Sequence, residues 1–127
     1  MKIVTIIAQI LLGLVFVVFG FNGFFHFLPM PPLSTDTPAG MFLTAVSTSG
    51  YMKAVFLCQI VGGLLLLLNI LPVLGLVILC PVIFNIVLFH LTMAPANLGI
   101  PIGVALLAVF LVGMHWKQLN HIVRQPR

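Results

Sequence analysis

The residues of this chain best suited to chemistry are two histidines and three amides. They lie far apart in the sequence: Asn22, His26, Gln59, Asn85 and His90. Imidazole and carboxamide groups both donate and accept hydrogen bonds. A cluster of them would therefore hold a neutral ligand through its carbonyl or hydroxyl oxygens. Whether they form a cluster depends on the elements that carry them.

The sequence lacks the groups that autonomous catalysis needs. Asp36 is the only carboxylate side chain, and no nucleophile stands beside a recognisable base. Two histidines without a carboxylate or clustered thiolates make an incomplete ligand set for zinc or iron. Cys58 and Cys80 lie in apolar runs, at estimated depths that put them beyond disulfide reach. We therefore predict no catalytic residues and no metal site.

The composition is that of a membrane protein. Of 127 residues, 62% are hydrophobic and 5% are charged. In soluble domains about 45–50% of the residues are apolar and about 25% are charged. So few charged side chains cannot cover the surface of a soluble domain, and we expect the lipid bilayer to be the main partner. The five basic residues form no run, which argues against nucleic-acid binding.

Four apolar runs have the length of membrane-spanning helices: residues 3–25, 52–70, 73–91 and 98–116. They leave too little chain for a separate soluble domain, so residues 1–127 are predicted to form a single domain. The first run is longer than the core of a cleaved signal peptide, and we interpret it as a retained span. The expected fold is all-α, an integral membrane four-helix bundle.

The only long loop joins the first and second spans. Its first part is rich in proline, at Pro29, Pro31 and Pro32, and cannot be regular helix. Thr37 followed by Pro38 then resembles a helix start, and apolar residues share one face up to Gly50. This pattern predicts a short helix at the outer membrane surface. The alternative is a loop packed on the mouth of the bundle without a helix.

The basic residues predict the orientation of the chain. Four of them lie near the two termini: Lys2, Lys117, Arg124 and Arg127. With an even number of spans both termini share one side, and the positive-inside rule makes that side cytoplasmic. Lys53 and Asp36 would lie on the opposite side.

In this orientation the five polar side chains fall in the outer half of the bundle. Asn22 and His26 share a face near the outer end of the first span. Gln59 lies roughly 10 Å and Asn85 about 9 Å below the outer boundary, with His90 close to it. We predict a neutral ligand pocket there, suited to a headgroup such as that of a quinone. Alternatively, the amides link helices, with about 1 kcal/mol per bond, and the histidines reach water or headgroups.

Small residues and proline mark further features of the spans. Gly62 with Gly63, and Gly99 with Gly103, would let helices approach closely, and the second pair could instead mark an oligomer contact. Pro81 interrupts the third span and predicts a kink, although membrane helices also tolerate proline routinely. Gln9, near the inner end of the first span, has no evident partner.

Three segments resemble the DoxX-like family of small bacterial four-helix membrane proteins. They are G-F-N-G-F-F-H-F-L-P-M-P-P at 20–32, S-G-Y continuing to Q-I-V-G-G-L-L-L-L-L across 49–68, and P-V-I-F-N-I-V-L-F-H-L at 81–91. The resemblance implies a bacterial cytoplasmic membrane protein linked to redox systems, because the family is named for association with a thiosulfate:quinone oxidoreductase. The family's polar positions coincide with Asn22, His26, Asn85 and His90.

Two departures from the family pattern keep the predicted pocket neutral. Family members often carry lysine where this chain has Gly23, and glutamate where it has Gln59. We expect a quinone-linked or redox-associated accessory component of a membrane oxidoreductase. The alternative is a non-catalytic structural or assembly subunit of a larger membrane complex, or a homo-oligomer. A transporter or channel is less favoured, because no charged relay crosses the membrane.

Overall fold

The structure is a computed structural model that describes residues 2–28 and 34–124, apart from the side chain of Asn97. Within these residues the chain forms six α-helices and no strand, so the all-α prediction is confirmed. The helices are α1 (Lys2–Phe25), α2 (Pro38–Thr48), α3 (Tyr51–Leu67), α4 (Pro72–Met93), α5 (Gly99–Met114) and α6 (Trp116–Val123), with a 3-10 turn at Pro95–Asn97 before α5. Pro29, Pro31, Pro32 and Arg127 lie outside the described residues.

Two helices are long and apolar enough to cross a membrane alone. These are α1 and α4, with mean hydropathies of 2.7 and 2.6. The other candidates are shorter, 17 residues in α3 and 16 in α5. Each qualifies only with the short helix joined to it, α2 to α3 at an angle of 84° and α5 to α6 at 74°. The described chain thus has two candidate spans, or up to four if each bent pair is one span, which indicates a membrane protein.

Close backbone contacts place α3 between α1 and α4. A Cβ atom built on Gly63 would lie 2.8 Å from the carbonyl oxygen of Gly13. A Cβ atom on Gly75 would lie 2.9 Å from the carbonyl oxygen of Gly62. Adjacent glycines of α3 therefore pack against different helices, and each contact requires a residue without a side chain. The close approach expected at Gly62 and Gly63 is present.

The other predicted glycine pair does not pack inside the chain. Apart from the adjoining residues and the backbone of α5 itself, no described atom lies within 4 Å of a Cβ built on Gly99 or Gly103. Both residues are exposed on α5, together with Ile100, Leu106 and Val109. The prediction that this pair packs against another helix of the same chain is therefore wrong. The alternative, an oligomer contact, stays a prediction.

One apolar core joins the four longer helices. Its fully buried leucines come from α1, α3, α4 and α5: Leu12, Leu66, Leu76, Leu79 and Leu111. The outward faces of the same helices are also apolar, and Phe84 and Val109 expose 66% and 70% of their surfaces. A bundle that is apolar inside and outside suits hydrocarbon rather than water as its surroundings.

The turn between α3 and α4 is built around Asn69. Its N–H donates to the carbonyl of Leu66, and the N–H of Ile70 donates to that of Leu65, at 3.2 and 3.0 Å. These two bonds make a Schellman motif, with Asn69 in the left-handed conformation at φ 55°. Asparagine tolerates that conformation better than other residues with a side chain. The motif ends α3 at Leu67, three residues before the predicted end of this span.

The predicted short helix in the first loop is confirmed as α2. The Thr37 side chain accepts a hydrogen bond of 3.1 Å from the N–H of Gly40, and Pro38 occupies the first helical position. Both features favour helix initiation. The ring of Phe42 lies 5.5 Å from that of Phe89, which ties α2 to α4.

Helix α6 does not appear among the sequence predictions, which ended the fourth span at residue 116. The chain leaves the direction of α5 at His115, whose Nδ1 lies 2.9 Å from the carbonyl oxygen of Leu111. From Trp116 onwards polar and apolar residues are mixed, whereas α5 is apolar throughout. The bend of 74° is consistent with this change in composition.

We expect Gly63→Ala to lower the free energy of unfolding by about 1–3 kcal/mol, the usual effect of overpacking. The added methyl would also lie 2.9 Å from Cγ2 of Val17, so α1 would have to move away from α3. The measurement is the unfolding midpoint of the purified protein in detergent. Gly103→Ala is the matched control, and an equal loss in both variants would contradict the packing argument.

Candidate functional site

Asn22 and His26 shape the C-terminal end of α1. The Asn22 Oδ1 accepts a hydrogen bond of 2.7 Å from the N–H of Leu28, and its carbonyl accepts one of 2.8 Å from the N–H of His26. His26 is in the left-handed conformation, at φ 53°. Asn22 is buried, whereas His26 is exposed. The Asn22 side chain thus fixes the backbone at Leu28, where the chain leaves α1. The surroundings of the two predicted site residues differ, because one is buried and the other is exposed.

Gln59 occupies the inward face of α3, one turn from Gly62 and Gly63. It exposes only 6% of its surface, and none of the hydrogen bonds found among residues 2–28 and 34–124 involves its amide. Among the described residues, every side-chain nitrogen or oxygen that is fully enclosed has a hydrogen-bond partner. The Gln59 amide therefore keeps a narrow opening to its surroundings.

Asn85 and His90 bond to the backbone of their own helix. The Asn85 Nδ2 donates to the carbonyl oxygen of Pro81 at 2.9 Å, and the His90 Nδ1 lies 2.8 Å from that of Ile86. The rings of His90 and Phe89 are nearly perpendicular, with a centroid distance of 5.1 Å. His90 is half-buried, and Asn85 is exposed on the outside of α4. α4 continues as one helix through Pro81.

The five predicted site residues form no hydrogen bond with one another within the described chain. Asn22, Asn85 and His90 each bond to a nearby backbone group instead. Short bonds of this kind satisfy polar side chains where water is scarce. Ligand binding by the five residues stays a prediction, and these contacts do not assemble them into one pocket.

A cleft of about 580 Å³ runs along the outside of α4. It is lined by Leu76, Val77, Cys80, Pro81, Phe84, Asn85, Val112, Trp116 and Leu119. Asn85 contributes its only carboxamide, so one predicted site residue lines a cavity. Sequence reasoning missed the cleft because α6 must turn back to bring Trp116 and Leu119 beside α4. The bend makes this cleft.

A second cleft, of about 610 Å³, lies between α6 and the first turn of α4. Its lining residues are Val73, Lys117, Gln118, His121 and Ile122. It is a shallow, open groove with cationic and apolar groups side by side. His121 is not among the five predicted site residues.

Gln9 forms the side-chain hydrogen bonds that join α1 to the turn between α3 and α4. It exposes 2% of its surface. Its Nε2 donates to the Asn69 Oδ1 at 2.7 Å and to the carbonyl oxygen of Leu66 at 3.1 Å. One carboxamide thus links the first helix to the end of the third. This contact could have been found from the sequence, because the predicted orientation places both Gln9 and Asn69 at the inner end of the bundle.

The described residues include no group of three or more histidine, cysteine, aspartate or glutamate side chains able to hold a metal ion. Cys58 and Cys80 are both free thiols.

Comparison of the chain with protein-family models, with curated proteins and with solved structures found no match. The DoxX-like assignment and the functions that it implies therefore stay predictions.

We expect Gln9→Leu to lower the free energy of unfolding by about 1 kcal/mol, in the range measured for polar contacts between membrane helices. Asn69→Gly keeps the left-handed turn but removes the Oδ1 acceptor. The double variant should therefore lose less free energy of unfolding than the sum of the losses in the two single variants. A double-mutant cycle in detergent measures this difference. Gln118→Leu, at an exposed position, is the control. Strict additivity would show that the Gln9–Asn69 bond contributes nothing.

Proposed function

We propose that this chain is a DoxX-like bacterial inner-membrane protein that acts as a quinone-linked accessory component of a membrane redox system. Its four spans would be α1, α3, α4 and α5, with α2 and α6 at the two membrane surfaces and both termini cytoplasmic. The three quoted sequence segments and the pairing of each shorter span with a bent helix support this assignment. The link to redox systems rests on the resemblance.

The observation that carries the ligand proposal is the apolar cleft that contains Asn85. Its volume of about 580 Å³ is within the usual range of about 300–1,000 Å³ for small-molecule sites. The lining combines aliphatic and aromatic side chains with one carboxamide. A quinone has the complementary form, an apolar ring and tail with carbonyl oxygens at the ring edge.

The geometry of Asn85 suits both redox forms of such a ligand. One Nδ2 hydrogen is used by the carbonyl of Pro81, which leaves the second for a quinone carbonyl. The Asn85 Oδ1 forms no hydrogen bond within the described residues and would accept one from a quinol hydroxyl. Asn85 would orient the ring and take no part in electron transfer. The competing location is the predicted outer site, in which Asn85 would act together with Asn22, His26, Gln59 and His90. Gln59 belongs to that site and does not line the cleft.

Quenching of Trp116 by a short-chain benzoquinone tests this proposal. Trp116 is the only tryptophan and lines the cleft, so binding should quench its fluorescence in a saturable way in detergent. Asn85→Leu should raise the half-saturating concentration about five-fold, the effect of one lost hydrogen bond of about 1 kcal/mol. Gln59→Leu should leave it unchanged.

Each other result of this titration points against the cleft. If Gln59→Leu weakens binding, the ligand occupies the outer site instead of the cleft. If quenching rises linearly and equally in all variants, the quinone only partitions into the micelle, and the ligand proposal is wrong. Circular dichroism of each variant confirms that the helices are intact.

A second candidate function is that of a non-catalytic assembly subunit. The observation in its favour is the uncovered face of α5, where Gly99 and Gly103 have no neighbour within 4 Å in the described chain. Exposed glycines one turn apart allow another helix to approach closely. The partner would be a subunit of a larger complex or a second copy of this chain.

We expect Gly103→Leu to abolish any such association, because the side chain would hold a partner helix away. The measurement is the mass of the particle extracted from membranes in a mild detergent, with Leu88→Ala on the exposed face of α4 as the control. A wild-type particle with the mass of one chain would contradict the assembly hypothesis. So would an unchanged complex in Gly103→Leu.

A further inference from the structure

Helix α6 has two chemically distinct faces. At 3.6 residues per turn, its apolar residues fall on one side: Trp116, Leu119, Ile122 and Val123. The remaining positions of the helix are polar or basic, Lys117, Gln118, Asn120 and His121, and Arg124 follows directly after it. Trp116, Ile122 and Val123 expose 59%, 52% and 83% of their surfaces, so the apolar side is not covered by the described chain.

The direction of α6 is compatible with a position along a membrane surface. The helix leaves α5 at 74°, so it lies close to the membrane plane if α5 crosses the membrane. A short helix with an apolar side, a tryptophan and basic residues is typical of the interface between headgroups and acyl chains.

The end of the bundle that carries α6 is positively charged. Lys117 and Arg124 belong to it, and so does Lys2, because the Gln9–Asn69 bond holds the start of α1 beside the turn before α4. Asp36 is the only carboxylate side chain of the sequence, and it follows the opposite end of α1. No acidic side chain therefore neutralises these cations.

The groove between α6 and α4 combines the two kinds of group that a phospholipid requires. Lys117, His121 and Gln118 offer an ammonium, an imidazole and an amide, while Val73 and Ile122 provide apolar walls. The volume of about 610 Å³ is large enough for a headgroup and the first carbons of its chains. A zwitterionic headgroup would bring a cation to a site without a carboxylate, so charge complementarity favours an anionic one.

We propose that α6 lies in the membrane surface and that its groove with α4 binds the headgroup of an anionic phospholipid, with Lys117 as the main counter-ion to the phosphate. Arg124 adds to the local positive potential. This inference depends on the chain being embedded in a membrane and is independent of the quinone proposal, which concerns the other cleft.

Native mass spectrometry of the full-length protein in detergent tests the inference, with added phosphatidylglycerol or phosphatidylcholine as the probe. We expect phosphatidylglycerol to bind more tightly than phosphatidylcholine. Lys117→Gln should raise the apparent Kd for phosphatidylglycerol about five-fold, the effect of one basic residue at an anionic surface. Lys53→Gln removes the same charge at the start of α3, and it should leave this Kd unchanged.

Three results would overturn the inference. Equal affinity for the two lipids would show that the groove does not select charge. An equal loss in Lys117→Gln and Lys53→Gln would assign the preference to net charge alone. Inorganic phosphate that displaced the lipid at comparable concentration would identify a site for free phosphate. Both variants change exposed side chains, and matching circular dichroism spectra would exclude loss of fold.

Discussion

The close approach of α3 to its two neighbours is the constraint on which the rest of the structure depends. Gly62 faces Gly75 of α4, and Gly63 faces Gly13 of α1. A Cβ atom built on any of these glycines would lie 3.3 Å or less from the carbonyl oxygen of the facing glycine. In hydrocarbon the hydrophobic effect does not drive helices together, so such contacts must supply the attraction through close packing. The two glycines are adjacent in sequence and therefore point to different sides of α3. One dipeptide thus sets the positions of three helices, and their facing leucines complete the core with α5.

Polar side chains in this bundle mostly bond to the nearest available backbone. Asn22, Asn85 and His90 each do so within six residues, which satisfies them without a long-range partner. Gln9 differs, because it reaches across to Leu66 and Asn69 and so fixes α1 against the turn that begins α4. Gln59 differs in the opposite sense, as it is buried beside the central glycines and has no hydrogen bond within the described chain. Among the buried polar side chains of the described residues, Gln59 is therefore the one that keeps its hydrogen-bonding capacity unused.

The bend at His115 produces both clefts at the end of the bundle that carries α6. Because α6 turns away from α5, Trp116 and Leu119 close one side of the cleft that contains Asn85. The same turn brings Lys117 and His121 beside the first turn of α4. A single change of direction thus creates an apolar cleft on one side of α6 and a cationic groove on the other. These two surfaces support different proposals, one for a ligand within the membrane and one for the lipid at its boundary.

The amino-acid sequence by itself determined the all-α class, the approximate limits of the apolar helices and the presence of α2, because these follow from composition, periodicity and local capping by Thr37 and Pro38. It also showed that residues for catalysis are scarce. Tertiary structure decided that Gly62 and Gly63 pack while Gly99 and Gly103 do not, since identical residues differ only in what lies opposite them. It paired Gln9 with Asn69, 60 positions apart, and turned α6 beside α4. These contacts depend on how helices distant in sequence are placed side by side, which local patterns do not encode.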